Sequence, residues 1–591
     1  MRKLLKYFKG YKLESVMGPL FKLLEANFEL FVPLVMAQII DVGINNRDMG
    51  HILRMGGVLV LLGVVGLTCS LTAQYFSAKA AVGIGTLLRN DLFRHINTLS
   101  YREIDTIGTS TLVTRMTSDI NQVQSGINLV LRLFLRSPFI VFGAMIMAFT
   151  INVRAALVFV VTIPLLSIVV FGVMLVSMPL YKKVQRQLDQ VLLTTRENLL
   201  GARVVRAFNR QQDEIHKFDQ ENDLLVGIQV FVGKISALMN PVTYVIVNGA
   251  IIVLVWTGAR QVEGGVISQG QVVALVNYMS QILVELVKLA NLIITISKAL
   301  ACANRINGVF AEHTSIVEKA AAGGETGKEK GTLEGEGAEP GGEAAKVEFK
   351  DMDFYYAKAK EPSLSGLSFQ VKKGQTIGII GGTGSGKSSL VNLIPRFYDA
   401  TKGAVLVDGK DVKDYSLSGL REKVGVVPQK AVLFKGSLRE NMRWGKTDAT
   451  DQEIYKALDT AQAREFVDTK GQGLDLMIEQ GGKNLSGGQR QRLTIARALV
   501  RNPEILIMDD SASALDFATD AALRKAIKEN TGDMTVFLVS QRATTIKNAD
   551  QILVLDDGKL VGLGTHKELL DQCEVYREIC LSQLSEKEAR Q

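Results

Sequence analysis

Long apolar stretches fill the first half of the chain and vanish from the second. Residues 55–78, 137–153, 155–181, 235–259 and 264–284 contain no Asp, Glu, Lys or Arg. A helix needs roughly 20 largely apolar residues to cross about 30 Å of hydrocarbon, so each stretch predicts a spanning helix. The second is short, and snorkelling by Arg136 or Arg154 would complete it. Buried helices of a large soluble protein would account for one such stretch, not for five. A sixth span is predicted near 16–40, where Lys22, Glu25 and Glu29 interrupt the apolar pattern. Glu25 and Glu29 share a helix face, with Lys22 one turn earlier. Ionisable groups at membrane depth usually point into a bundle or a wet cavity, which makes Glu25 and Glu29 candidate cavity residues. The other reading leaves them in the headgroup layer, with Lys22 simply pairing with Glu25.

Connection lengths predict the topology. Short segments such as Asn152-Val153-Arg154 and Gly258–Gly270 join some spans, whereas polar, helix-favouring stretches at about 79–127 and 182–234 join others. The long stretches and the N-terminus are rich in Lys and Arg, which predicts that they are cytoplasmic. Residues 1–13 read as a basic amphipathic helix on that surface. Residues 317–346 carry Gly, Ala, Glu and Lys and almost no bulky apolar side chain, the composition of a tether that cannot offset its own ordering entropy. The resulting division is an elbow helix at 1–13, a six-helix membrane domain at 14–316, a linker at 317–346 and a soluble α/β domain at 347–591.

Composition changes this picture little. The 591 residues exceed one compact domain. The formal charge of +8 is spread beside the hydrophobic stretches rather than gathered in one patch, so no nucleic-acid partner is expected and a lipid bilayer is. Cys69, Cys302, Cys573 and Cys580 have no metal-ligand spacing, and a disulfide framework is not expected. The N-terminus lacks a signal-peptide layout.

The second half carries the chemistry. A strand over Thr376–Ile380 leads into Gly381-Gly382-Thr383-Gly384-Ser385-Gly386-Lys387-Ser388-Ser389 and then a helical run. This is G-x-x-x-x-G-K-[ST] in its required setting of strand, loop and helix. Its backbone N–H groups and helix N-terminus suit phosphates. Lys387 is expected on the β- and γ-phosphates and Ser388 on Mg²⁺. A second strand, Ile505–Met508, ends in Asp509-Asp510, where a carboxylate suits a site close to Mg²⁺. A third, Thr535–Val539, ends in Ser540-Gln541-Arg542.

Ahead of the second strand, Leu485-Ser486-Gly487-Gly488-Gln489 resembles the LSGGQ signature of ATP-binding cassette (ABC) proteins, a far more specific pattern than the phosphate loop. Tyr356 resembles the aromatic residue that stacks on adenine. Gln429 resembles the Q-loop glutamine, a Mg²⁺ contact; Ser513–Asp516 resembles the D-loop. Glu197–Gly201 and Arg203–Phe208 are similar to the six-helix exporters of that family, and the likeness covers nearly the whole chain except the linker. It implies a half-transporter that pairs with a second subunit, so that Ser486, Gly487, Gly488, Gln489 and Asp516 serve ATP held mainly by the partner. It also implies coupling helices in the long cytoplasmic loops, placed by position near Glu103–Leu112 and Phe208–Phe218.

Three positions depart from the family pattern. Asp510 stands where glutamate normally polarises the attacking water, Gln541 stands at the histidine switch position, and Gln480-Gly481-Gly482 replaces Glu-Arg-Gly. The first two fall on one half-site while the signature is intact. That asymmetry predicts an ATP-driven exporter of heterodimeric type, in which this subunit holds ATP and Mg²⁺ at a degenerate, slow site and completes the partner's competent one. The alternatives are a homodimeric lipid or drug exporter and an ATP-gated channel or regulator. The expected location is the plasma membrane (the inner membrane of a bacterium), with the N-terminus and ATPase domain in the cytoplasm. The expected cargo is a small amphiphile, with multidrug efflux the leading reading.

Overall fold

The computed structural model describes residues 2–318, 345–357, 359–511 and 513–590. The predicted linker at 317–346 therefore falls largely outside the described residues. Two compact units result: residues 1–97 with 109–312, and residues 98–108 with 313–591.

The first unit contains six helices long and apolar enough to cross a membrane: Lys6–Ile44, Met49–Thr98, Thr109–Ile151, Val153–Leu200, Gln211–Glu263 and Gln269–Ala311. Their burial is inverted relative to a water-soluble bundle. Leu61, Val161, Ile168, Val245, Ile252 and Trp256 face outward, while Ala26, Ala144, Ala148, Ala155, Ala156 and Ala274 are fully or almost fully enclosed. Small side chains let helix backbones approach closely where lipid removes the hydrophobic drive to associate. Larger side chains such as Phe159 and Tyr278 are enclosed too, and the buried Tyr278 hydroxyl is satisfied by donating to the Leu30 carbonyl at 2.5 Å. Outside the apolar core, Asp41 accepts from the Gly270 N–H at 2.7 Å and from the Ser268 hydroxyl, so the last turns of the first helix cap the start of the last.

The break at Asn152 lies where the short connection was expected. Its extended backbone ends one helix, and its side chain accepts from the Ala155 N–H at 3.0 Å to begin the next. Arg136 differs from expectation. Instead of snorkelling to complete a short span it points inward, 7% exposed, because two carboxylates on other helices hold it. The long cytoplasmic stretches are mostly continuations of the spanning helices. In the stretches where coupling helices were expected, near Glu103–Leu112 and Phe208–Phe218, the short crossing helices are Tyr101–Ile107, ended by Gly108 at φ 83°, and Ala202–Ala207, after which a long helix begins at Gln211.

The second unit is built on a six-stranded sheet. Its strands run in the order Lys559–Gly564, Gln551–Asp556, Thr376–Gly381, Thr535–Val539, Ile505–Asp509, Val424–Val427. All neighbours are parallel except the first pair. Ile505–Asp509 and Thr535–Val539 are buried at every position, as expected of central parallel strands covered on both faces. A four-stranded antiparallel sheet begins at Ala345–Phe354. The register places Val539 opposite both Ile379 and Asp509, and Val427 opposite Met508. The carboxyl ends of four strands therefore share one rim, the usual place for ligands in such a sheet.

Candidate nucleotide site

That rim carries a cavity of about 340 Å³, lined by Tyr356, Thr383, Gly384, Gly386, Lys387, Ser388, Ser389, Gln429, Asp509, Asp510 and Gln541 among others. The phosphate loop is held open by its backbone. Gly386 sits at φ 92°, and a Cβ there would lie 2.5 Å from the Leu364 side chain and 2.9 Å from the Ser363 carbonyl, so only glycine fits. Helix Lys387–Leu393 follows directly, aiming its free N–H groups at the cavity.

The Lys387 ammonium donates to the carbonyls of Gly381 at 2.9 Å and Gly382 at 2.6 Å and lies 3.3 Å from the Ser385 hydroxyl. Burial pulls its pKa below the usual lysine range, while Asp510 and Asp509 oppose that shift. Asp509 is displaced the other way: burial raises its carboxyl and Asp510 adds to the rise, against the Ser388 hydrogen bond and Lys387. A site that raises a carboxylic acid and lowers a lysine lacks compensating charge. Phosphate beside Lys387 and a cation beside Asp509 would each supply it. Ser388 Oγ donates to Asp509 Oδ1 at 3.0 Å, so two hard oxygen donors converge where a small divalent cation would bind.

The departures from the family pattern fall on the same cavity. Asp510 adopts φ 46°, a left-handed conformation that Asp tolerates, with its N–H bonded to the Val539 carbonyl at 3.0 Å. Its Oδ2 accepts a long hydrogen bond of 3.4 Å from Gln429 Nε2. Gln541 follows the strand Thr535–Val539, and its carbonyl accepts from Gln583 Nε2 at 2.8 Å. Gln583 Oε1 in turn accepts from the Ala543 N–H at 2.9 Å. A single C-terminal side chain thus brackets the switch loop. Nothing in the sequence pattern around Gln583 marks it, because its role depends on a tertiary approach.

Tyr356 lines the cavity, its hydroxyl 2.8 Å from that of Ser389 and its ring edge-on to Phe354 and Tyr398 at 4.8 and 5.5 Å. The signature residues are not among those lining the cavity. Ser486 caps helix Gly487–Leu499 in a reciprocal pair with Gln489, whose N–H donates to Ser486 Oγ at 3.3 Å while its side chain accepts from the Ser486 N–H at 3.0 Å. Asp516 likewise caps the helix from Phe517, accepting from the Thr519 N–H at 2.8 Å. The Gln480–Gly482 stretch turns over Leu433, whose carbonyl accepts from the Gly481 N–H at 3.2 Å.

The helix Tyr101–Ile107 packs within this second unit. Tyr101 lies 4.8 Å from Phe397, and the Tyr398 hydroxyl donates to Asp105 at 2.6 Å. Burial and then Asp105 raise the Tyr398 pKa. Tyr398 therefore touches both the crossing helix and Tyr356 at the cavity. Tyr398→Phe keeps the ring packing and removes one hydrogen bond to a carboxylate, an interaction contributing roughly 1.5–3 kcal/mol. ATP affinity should stay within about twofold while stimulation of ATPase activity by transport substrate falls severalfold. Equal loss of both would show that the hydroxyl acts only through nucleotide binding.

The site in the membrane unit is distinct. Glu29 lines a second cavity together with Pro33, Asn277, Gln281 and Glu285, among others. Glu25 pairs with Lys22 at 2.5 Å and is not among the residues lining that cavity.

Residues 16–286 match the ABC transporter transmembrane region, and residues 364–513 match the ABC transporter family. An uncharacterized ABC transporter ATP-binding protein of Mycobacterium tuberculosis is 36% identical over 583 residues, 98% of this chain and 97% of its own. The ATP-dependent lipid A-core flippase of Hahella chejuensis is 30% identical over 540 residues, 90% and 89% of the two chains. The structure of a bacterial Atm1-family ABC exporter with ATP bound is similar in fold, with TM-score 0.77 and 23% identity over 97% of this chain and 99% of that one.

Proposed function

Since the chain belongs to the ABC transporter family, we propose that it is the degenerate-site half of a heterodimeric exporter of amphiphilic small molecules. It is a multi-pass membrane protein with a cytoplasmic ATPase domain, and an ATP-driven exporter. The observation that carries the finer reading is the concentration of both catalytic departures, Asp510 and Gln541, on one cavity, against a complete Ser486–Gln489 signature outside it.

In this reading Tyr356 stacks on adenine, and Gly381–Ser389 wrap the phosphates with Lys387 on the β- and γ-oxygens. Ser388, Asp509 and Gln429 would hold Mg²⁺, Asp509 through water. The ion supplies neutralisation of charge developing on the phosphates. Asp510 is too short to hold the attacking water well, and Gln541 hydrogen-bonds the γ-phosphate without bringing positive charge. Bound ATP favours the closed pair of cassettes at this site, and hydrolysis at the partner's site resets it.

Purified alone, the chain should hydrolyse ATP slowly, and activity should rise at least tenfold when a second subunit bearing the catalytic glutamate is added. Brisk turnover by the lone chain would remove the heterodimer reading. It would favour a homodimeric exporter in which Asp510, held in the cavity beside Gln429, itself serves as the base.

A further inference from the structure

The switch loop Ser540-Gln541-Arg542 leaves a strand that is buried at every position, Thr535–Val539, and Ser540 extends that anchorage by donating its N–H to the Ile379 carbonyl at 3.1 Å. Beyond Gln541 the local support is thinner. Helix Ala543–Ile546 is four residues long, and Arg542 at its N-cap offers no side-chain bond to the orphan N–H groups of the first turn. The Arg542 guanidinium turns instead to the Ser513 and Leu515 carbonyls at 3.3 and 3.4 Å.

The two backbone groups that flank Arg542 both go to one distant side chain. Gln583 Nε2 donates to the Gln541 carbonyl at 2.8 Å, and Gln583 Oε1 accepts from the Ala543 N–H at 2.9 Å. A carbonyl can only accept and an N–H can only donate. A glutamine amide therefore matches the pair, and no carboxylate, ammonium or hydrocarbon of similar length does. Because the peptide unit is planar, holding the Gln541 carbonyl fixes the plane of the 541–542 peptide. With Ser540 anchored on the other side, the direction in which the Gln541 side chain leaves the backbone is set, and Gln541 lines the nucleotide cavity. Gln583 is itself held. Its N–H and that of Leu584 donate to the Cys580 carbonyl at 3.1 and 2.9 Å, at the end of helix Glu574–Leu581, whose Tyr576 and Cys580 are fully buried. Past it, the Ala589 carbonyl lies 2.8 Å from His566 Nε2, and His566 Nδ1 lies 2.7 Å from the Tyr576 hydroxyl. The C-terminal segment is thus pinned on both sides of Gln583.

We propose that Gln583 is a positioning residue for nucleotide discrimination: by setting the switch loop it aims Gln541 at the γ-phosphate, and so makes the site prefer ATP to ADP. The proposal rests on the reading of Gln541 as a γ-phosphate contact. Gln583 is not among the residues lining the cavity and acts through the loop alone.

The test is equilibrium binding of ADP and of AMP-PNP, which stands in for ATP without being hydrolysed, each with Mg²⁺, to the full chain in nanodiscs. Gln583→Met keeps the length of the side chain and loses both hydrogen bonds. It should cut the preference for AMP-PNP over ADP at least fivefold, with ADP affinity within about twofold of the parent. Gln583→Glu keeps an acceptor for the Ala543 N–H and sets a second acceptor against the Gln541 carbonyl. It should lose the preference to a similar extent with a smaller fall in melting temperature. In a Gln541→Ala background, Gln583→Met should change the preference by less than twofold, because the side chain it aims is gone. A parent without preference, a preference unchanged in Gln583→Met, an equal loss of ADP affinity, or the same fivefold loss in the Gln541→Ala background overturns the proposal. The Gln541→Ala variant alone reads the underlying assignment. A preference that survives it removes Gln541 as the γ-phosphate contact, whereas one lost there but kept in Gln583→Met removes only the positioning role.

Discussion

Replacing Asp510 with Glu and Gln541 with His together is expected to raise ATP turnover at this chain's own site by about 100-fold. The backbone at 510 is fixed by its N–H bond to Val539 and its place at the end of a fully buried strand, so the side chain alone sets the reach. Glutamate extends the carboxylate by about 1.5 Å, and a misplacement of about 1 Å can cost a hundredfold in rate. The left-handed φ of 46° suits aspartate better than glutamate. That penalty, roughly 1–2 kcal/mol, is smaller than the approximately 2.7 kcal/mol that a hundredfold represents. At 541 the loop is held through its carbonyl by Gln583, so exchanging the side chain leaves the loop in place. Phosphate release by the lone variant in nanodiscs at high concentration is the measurement, since its own signature can then face the rebuilt site. Turnover within threefold of the parent would show that reach and charge at these two positions are not what limit the reaction.

The second large effect separates the two halves of the chain's ATPase machinery. Gly487→Glu should abolish ATP hydrolysis by the heterodimer, by more than 100-fold, while Lys387→Ala should change it only severalfold. A Cβ at Gly487 meets no atom within 4 Å, so the new side chain enters open space and the fold tolerates it. A carboxylate in the first turn of helix Gly487–Leu499 even favours the helix by a few tenths of a kcal/mol. In the proposed heterodimer it would obstruct the γ-phosphate of ATP presented by the partner, through bulk and like charge. Lys387, by contrast, would serve only the ATP held at this chain's own site. Steady-state ATPase assays on the two assembled variants, with thermal melts to confirm folding, decide the matter. A homodimer would lose activity equally in both.

The architecture was readable wherever a local rule governs it. Uninterrupted apolar stretches marked the spans, Asn152 marked a break because its side chain caps the following helix, and the phosphate loop and signature declared themselves by spacing. Legibility failed where the deciding partner is distant in sequence. Arg136 read as a span-end residue because Glu29 and Glu285 lie 107 and 149 positions away. The inward role of Glu285 went unseen since it sits just beyond an uncharged stretch. The bounds of the short crossing helices were not legible because polar helix-forming sequence continues across both turns, with only brief breaks at 99–100, Gly108, Gly201 and 208–210. Gln583 carries no local signal at all.

The helix Val153–Leu200 runs 48 residues, about 72 Å at 1.5 Å per residue, so some 40 Å of it projects beyond a 30 Å hydrocarbon layer. A rod of that length magnifies motion. If it pivots by 10° where it leaves the lipid, its far tip sweeps about 7 Å, more than one 5.4 Å helical turn. A displacement of roughly an ångström or two close to the pivot thereby becomes several ångströms at the tip, with no need for the intervening helix to bend or unwind.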